Sequence, residues 1–255
     1  MSHFRPPRTS RHDTVRLPSG TTLEYTLIQP RSSSSRPDLR EDQHVAKKLA
    51  ICLHPWSWLG GRMNDPVLQL LAEPLLENGY DVIRYNSRGV GKSTGWASFT
   101  GHREGEDLKE LVQWARSTMP NITSLVLAGY SHGSLIASLH PVLEDVKTSH
   151  ILLSYPMGPR HWLTAFHGHR YTTALKSLVD DPRSNILVIY GDDDNFTTAE
   201  SYDTWVASLR EAPADLPGAL TRGELEVVKV AGASHFWGEE DAVGKLNETV
   251  REWLL

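Results

Sequence analysis

The chain has 255 residues, a formal net charge of -5, 39% hydrophobic residues and 22% charged residues. This length suits one large domain or two small ones, the composition is that of a globular protein, and the acidic balance argues against general nucleic-acid binding. No apolar run reaches the roughly 18 residues a membrane span needs, and Met1 to Arg8 contains no apolar signal-peptide core.

The single cysteine, Cys52, excludes an intrachain disulfide and suits a reducing compartment, so a cytoplasmic location is expected. It sits in the apolar run Leu49-Ala50-Ile51-Cys52-Leu53, where a buried, inert thiol is expected.

In chain order, residues 1–12 read as a disordered tail and residues 13–255 as one domain. Thr14–Leu17 and Leu23–Ile28 flank Ser19-Gly20 and predict an opening hairpin. Residues 31–48, with four consecutive serines and mixed charges, read as a mobile surface loop. From there strands and helices alternate. Strand Leu49–Leu53 precedes a helix over Pro66–Glu77, apolar at Leu68, Leu71, Leu75 and Leu76. Strand Asp81–Arg84 precedes a helix over Glu104–Ser117. Strand Ser124–Ala128 runs into a helix that starts near Ser134. Strand His150–Ser154 precedes a short helix near 171–179, strand Asn185–Tyr190 a helix over Ala199–Arg210, and strand Leu225–Val230 a helix over Asp241–Leu254. The pattern implies an α/β architecture: a mostly parallel sheet of about eight strands, covered by helices on both faces, with ligands bound at the strand C-termini. Pro156 to Asp181 is too short for a lid domain, so 157–181 reads as a minimal cap insertion.

Three strand ends carry the chemistry. Gly129-Tyr130-Ser131-His132-Gly133 places a serine on a strand-to-helix turn, where its hydroxyl projects above the sheet and a helix N-terminus favours developing negative charge. Gly191-Asp192-Asp193-Asp194 ends the next such strand, and Gly232-Ala233-Ser234-His235 ends the last. A serine hydroxyl needs a base to take its proton as it attacks, and His235 is the candidate. A carboxylate must orient the imidazole and stabilise the imidazolium, and three adjacent aspartates compete for that role.

The order Ser, Asp, His along the chain is that of the α/β-hydrolase arrangement. With these segments, His54-Pro55-Trp56-Ser57-Trp58-Leu59-Gly60-Gly61-Arg62-Met63-Asn64 and Asn86-Ser87-Arg88-Gly89-Val90-Gly91-Lys92-Ser93 also match. From about residue 13 to the C-terminus the chain resembles the α/β-hydrolase superfamily, in particular its small, cap-poor serine hydrolases of the esterase and thioesterase kind. The resemblance implies Ser131 as nucleophile, His235 as base and Asp194, third after the glycine, as the acid. It implies an oxyanion hole from the backbone amides of His132 and Trp56, and a structural His54 that braces the oxyanion loop. Relatives that open epoxides or remove halide carry aspartate where this chain has Ser131.

The expected substrate pocket comprises His54, Trp58, Tyr155, Trp162, Phe196 and Trp237, and Trp56, Trp58, Phe196, Phe236 and Trp237 beside the candidate catalytic positions give it an aromatic rim suited to a compact apolar or aromatic acyl group. His161, His167 and His169 fit no standard metal spacing, so neither metal nor cofactor is expected. Gly91-Lys92-Ser93 lacks the first glycine of a phosphate loop, because Asn86 stands in its place. The expected activity is hydrolysis of a small-molecule carboxylic ester or thioester, with no nucleic-acid partner and no membrane span. Two alternatives stand beside it. The same triad could run an acyl transfer, lyase or cyclisation step, or the fold could serve as a non-catalytic binding or scaffold protein.

Overall fold

The computed structural model describes residues 8–31, 46–157, 168–211 and 222–255. The expected tail at 1–7, most of the expected 31–48 loop, the first part of the cap insertion and Trp162 lie outside the described residues.

Eight strands form one sheet in the order β1-β2-β4-β3-β5-β6-β7-β8. They are β1 (Ser10–Arg16), β2 (Thr22–Ile28), β3 (Lys47–Leu53), β4 (Tyr80–Tyr85), β5 (Ile122–Tyr130), β6 (Lys147–Leu153), β7 (Asn185–Gly191) and β8 (Glu224–Val230). β2 runs antiparallel to β1 and β4, whereas β3 to β8 run parallel to one another. The helices are α1 (Pro66–Glu77), α2 (His102–Thr118), α3 (His132–Ala137), α4 (Gly168–Asp180), α5 (Ala199–Arg210) and α6 (Glu240–Trp253).

The two-residue period of a strand divides the core into two halves. Leu49, Ile51, Leu53, Leu125, Leu127, Ile186 and Val188 pack on one face with residues of α2, α3, α4 and α5. Ala50, Cys52, Val126, Ala128, Leu187 and Ile189 pack on the other with α1 and α6. Both faces are apolar, which explains why these strands read as continuous hydrophobic runs rather than alternating ones. Each fully buried aliphatic side chain contributes about 1.5–3 kcal/mol. All four apolar positions expected in the first helix, Leu68, Leu71, Leu75 and Leu76, are buried.

Several boundaries depart from expectation, and three stand out. β1 begins at Ser10, three residues inside the expected tail, because Ser10 to Arg16 pair in full with Ile28 to Thr22. β3 begins at Lys47, inside the expected surface loop, where it pairs with β5. α3 begins at His132, two residues earlier than expected, and ends at Ala137. His140 precedes Pro141, which disfavours helical backbone there. Between β6 and β7 the described residues contain one helix, α4, in keeping with a minimal cap.

Candidate active site

The turn between β5 and α3 explains its own glycines. Ser131 has φ 53° and ψ -121°, outside the regions non-glycine residues favour. A β-carbon on Gly129 would lie 2.3 Å from the Gly133 carbonyl oxygen, and one on Gly133 would lie 2.2 Å from the Leu53 carbonyl oxygen. Only glycine at both flanks lets the chain turn this sharply against β3. The Ser131 amide donates to the Leu153 carbonyl at 2.9 Å, and the Ser134 amide donates to the Ser131 carbonyl at the same distance.

β7 and β8 bring two further side chains to this turn. His235 Nε2 lies 3.0 Å from Ser131 Oγ. His235 Nδ1 lies 2.8 Å from Asp194 Oδ2. The other Asp194 oxygen accepts from the amides of Phe196 at 2.8 Å and Thr197 at 3.1 Å. A carboxylate only accepts, so the network assigns the ring proton to Nδ1 and leaves Nε2 to receive the serine proton. All three residues are buried. Of the competing aspartates, Asp192 accepts from the Gly232 amide at 2.7 Å and closes the turn after β8, while Asp193 faces solvent.

The histidine loop is clamped from behind. The Tyr130 hydroxyl donates to the His235 carbonyl at 2.9 Å. Trp237 Nε1–H donates to Ser154 Oγ at 3.0 Å, and both residues hold positive φ, 52° and 48°.

His132 and Trp56 flank the serine. As the first residue of α3, His132 has an amide with no intrahelical acceptor. Its imidazole is buried, which lowers its pKa to about 3. Trp56 lies on the loop after β3, where its carbonyl accepts from the amides of Leu59 and Gly61. That loop is braced by His54. The Ser87 amide donates to His54 Nε2 at 3.0 Å, so Nδ1–H donates to the Pro55 carbonyl at 2.6 Å. Burial lowers the His54 pKa to about 4 and keeps the ring neutral.

A cavity of about 310 Å³ opens beside Ser131 and His235, within the usual range for small-molecule sites. Trp56, Phe196 and Phe236 line it, as the sequence suggests. Four expected pocket residues lie elsewhere. His54 sits behind the loop as described. Trp58 is 53% exposed and stacks on Phe99, 4.8 Å between centroids, outside the cavity lining. Tyr155 is buried in the core and stacks on Trp205. Trp237 packs into the core on the α1 and α6 face, where its N–H finds Ser154. Tyr155 and Trp237 thus went to the core, because burying their area outweighs exposure at a pocket wall. The expected pocket missed Pro55, Leu59, Gly60, Gly61 and Pro156, and two polar lining residues, Tyr130 and Asp65. Tyr130 was visible only as the variable residue of the serine turn, and Asp65 only as the residue before a helix-initiating proline.

Two other sequence features have structural roles. The loop after β4 is tied down by Glu24, which accepts from Asn86 Nδ2 at 2.7 Å and the Lys92 amide at 2.8 Å, and by Arg88 paired with Asp107. Burial raises the Cys52 thiol to about 12, so it stays protonated. Among the described residues no group of three or more His, Cys, Asp or Glu side chains is placed to hold a metal ion, and no helix is long and apolar enough to cross a membrane.

Comparison with known proteins agrees with this fold. The model of the Alpha/beta hydrolase family matches residues 50–254. The chain belongs to that family. It is similar to an alpha-beta serine hydrolase homologue from Coxiella burnetii, at 26% identity and a TM-score of 0.70 over 95% of this chain and 96% of that one. It is equally similar to a Xanthomonas campestris protein described as a serine hydrolase without lid, at 27% identity and a TM-score of 0.70 over 97% and 96%. A curated relative, an uncharacterized protein of Rickettsia prowazekii, is 27% identical over 189 residues, which is 74% of this chain and 71% of the relative.

Proposed function

We propose that this protein is a cytoplasmic serine hydrolase that cleaves a carboxylic ester or thioester of a small to medium substrate through an acyl-enzyme on Ser131. The carrying observation is that His235 bridges Ser131 Oγ, at 3.0 Å, and Asp194 Oδ2, at 2.8 Å, at the wall of a cavity large enough for such a substrate.

Ser131 Oγ attacks the substrate carbonyl carbon while its proton passes to His235 Nε2. Asp194 holds the ring and stabilises the imidazolium formed in that step. The carbonyl oxygen gains negative charge, which the amides of His132 and Trp56 receive at the N-terminus of α3. Collapse breaks the bond to the leaving oxygen or sulfur, which takes the proton from His235 Nε2. Water then attacks the acyl carbonyl with His235 again as base, and the carboxylic acid leaves. No metal or cofactor takes part.

The test is labelling with a fluorophosphonate, the adduct mapped by mass spectrometry, alongside a panel of esters and thioesters. Labelling at Ser131 that is lost in His235→Ala, with ester or thioester turnover, is the expected result. A folded protein that neither labels nor releases acid would overturn the proposal. Release of an isomerised, cyclised or transferred product in place of the free acid would redirect it to the non-hydrolytic alternative.

A further inference from the structure

The cavity beside Ser131 has aromatic, aliphatic and glycine walls but is not wholly apolar. Trp56, Tyr130, Phe196 and Phe236 line it, and among its described lining residues Asp65 is the single carboxylate. Asp65 precedes Pro66 and caps α1, with one oxygen accepting from the Val67 amide at 2.9 Å. Capping needs only a side-chain oxygen, which serine, threonine or asparagine would provide. The charge suits the N-terminus of α1, and it also faces the cavity that the residue lines. It reaches the Tyr130 hydroxyl, whose pKa is raised by burial first and by Asp65 next. Arg62, on the same loop, turns to the Gly60 carbonyl and is not among the lining residues.

A half-buried carboxylate among aromatic rings is the environment that recognises organic cations. Ring faces carry partial negative charge, so they attract an alkylammonium group without the cost of burying a second ion, while the carboxylate supplies the counter-charge. The same carboxylate repels a substrate anion, and low-dielectric walls strengthen both effects. We propose that Asp65 and the surrounding aromatic side chains form a cation subsite, which makes the preferred substrate an ester or thioester of a compact organic cation such as an alkylammonium acid or alcohol. This rests on the hydrolase reading above and names its substrate class.

The test uses esters whose charges do not titrate. Two matched sets are needed, one varied at the acyl end and one in the alcohol half, each with trimethylammonium, tert-butyl and sulfonate members of equal length. In at least one set the wild type should favour trimethylammonium over sulfonate by tenfold or more in kcat/KM. Asp65→Asn, which keeps a capping oxygen, should cut that ratio at least fivefold, and the ratio within each protein cancels any general loss of activity. Asp65→Ser serves if the asparagine variant does not fold. A wild-type ratio near or below one in both sets, or an unchanged ratio in the variants, overturns the cation subsite while leaving the hydrolase reading intact. No turnover of any of the six esters, with no phosphonate labelling, overturns both.

Discussion

The hydroxyl of Tyr130 donates to the backbone carbonyl of His235 at 2.9 Å, which ties His235 to the strand that runs into Ser131 without passing through Asp194. The two residues are 105 apart in sequence, and their rings lie 5.6 Å apart. Tyr130 is thus a positioning residue for His235. Tyr130→Phe removes the bond and keeps the ring. A neutral hydrogen bond is worth about 1 kcal/mol, so kcat for ester turnover should fall about three- to tenfold. An unchanged kcat with a lowered melting temperature would assign the bond to stability alone.

Three consecutive aspartates end the β7 strand region, and geometry separates their roles. Asp194 holds His235 Nδ1, Asp192 caps the Gly232 amide, and Asp193 is exposed. Asp194→Asn should lower kcat by about 10³–10⁴-fold, because the amide favours the wrong imidazole tautomer. Asp193→Asn should stay within about twofold of wild type, as for surface substitutions generally. Steady-state kinetics on any hydrolysed ester separates the two, and equal effects would refute the assignment of the acid.

Arg88 and Asp107 form a buried, two-pronged ion pair, with Nε to Oδ2 at 2.7 Å and a terminal nitrogen to Oδ1 at 2.6 Å. Burial raises the Asp107 carboxyl, and Arg88 opposes that rise. Arg88→Met leaves the carboxylate buried without its partner and should cost about 3–5 kcal/mol in urea unfolding. The double variant Arg88→Met with Asp107→Leu should recover most of that loss, since the desolvation cost is removed with both charges. No recovery would mean that the pair is needed for the loop geometry itself.

Among the described residues, four of the buried histidines are held neutral by burial. Burial is the leading cause in each case, and it lowers His54 to about 4, His132 to about 3, His140 to about 4 and His150 to about 4. In the unfolded chain each titrates near 6.5, so below that pH the unfolded state binds more protons than the folded one. Stability is therefore fully present above about pH 6.5 and is lost as pH falls toward 4, by up to about 1.4 kcal/mol per pH unit for each ring. Asp65, Asp81 and Asp107, whose carboxyls burial raises, oppose the trend at its acid end. The steepest loss should thus lie between about pH 6.5 and 5, measured as the urea midpoint across a pH series. A flat profile there would show that the rings charge within the fold.

Much of the fold was legible because the relevant forces are local or periodic. α1 and α5 match their expected ranges, since Pro66 and Thr198 mark their starts and apolar spacing marks their inner faces. The strands matched in place but ran longer at their ends, as at Ser10 and Lys47, where pairing partners distant in sequence extend them. The spacing Gly129-x-Ser131-x-Gly133 was readable because backbone crowding admits only glycine on either side. The pocket was poorly legible. Trp58, Tyr155 and Trp237 adjoin the site in sequence, yet they lie outside, under or behind it.

The sequence by itself therefore determined the alternation of strands and helices, the edge of the sheet where ligands meet the chain, and the candidates Ser131, His235 and the aspartate cluster. These rest on hydrophobic period, turn chemistry and residue order, each written within a few residues. The family resemblance already singled out Asp194, and only the tertiary structure decided that Tyr130 anchors His235 from 105 residues away and that Asp65 faces the cavity. Those outcomes depend on how loops from β3, β5, β7 and β8 converge. Convergence follows from sheet order and from the packing of two cores, which no single segment encodes.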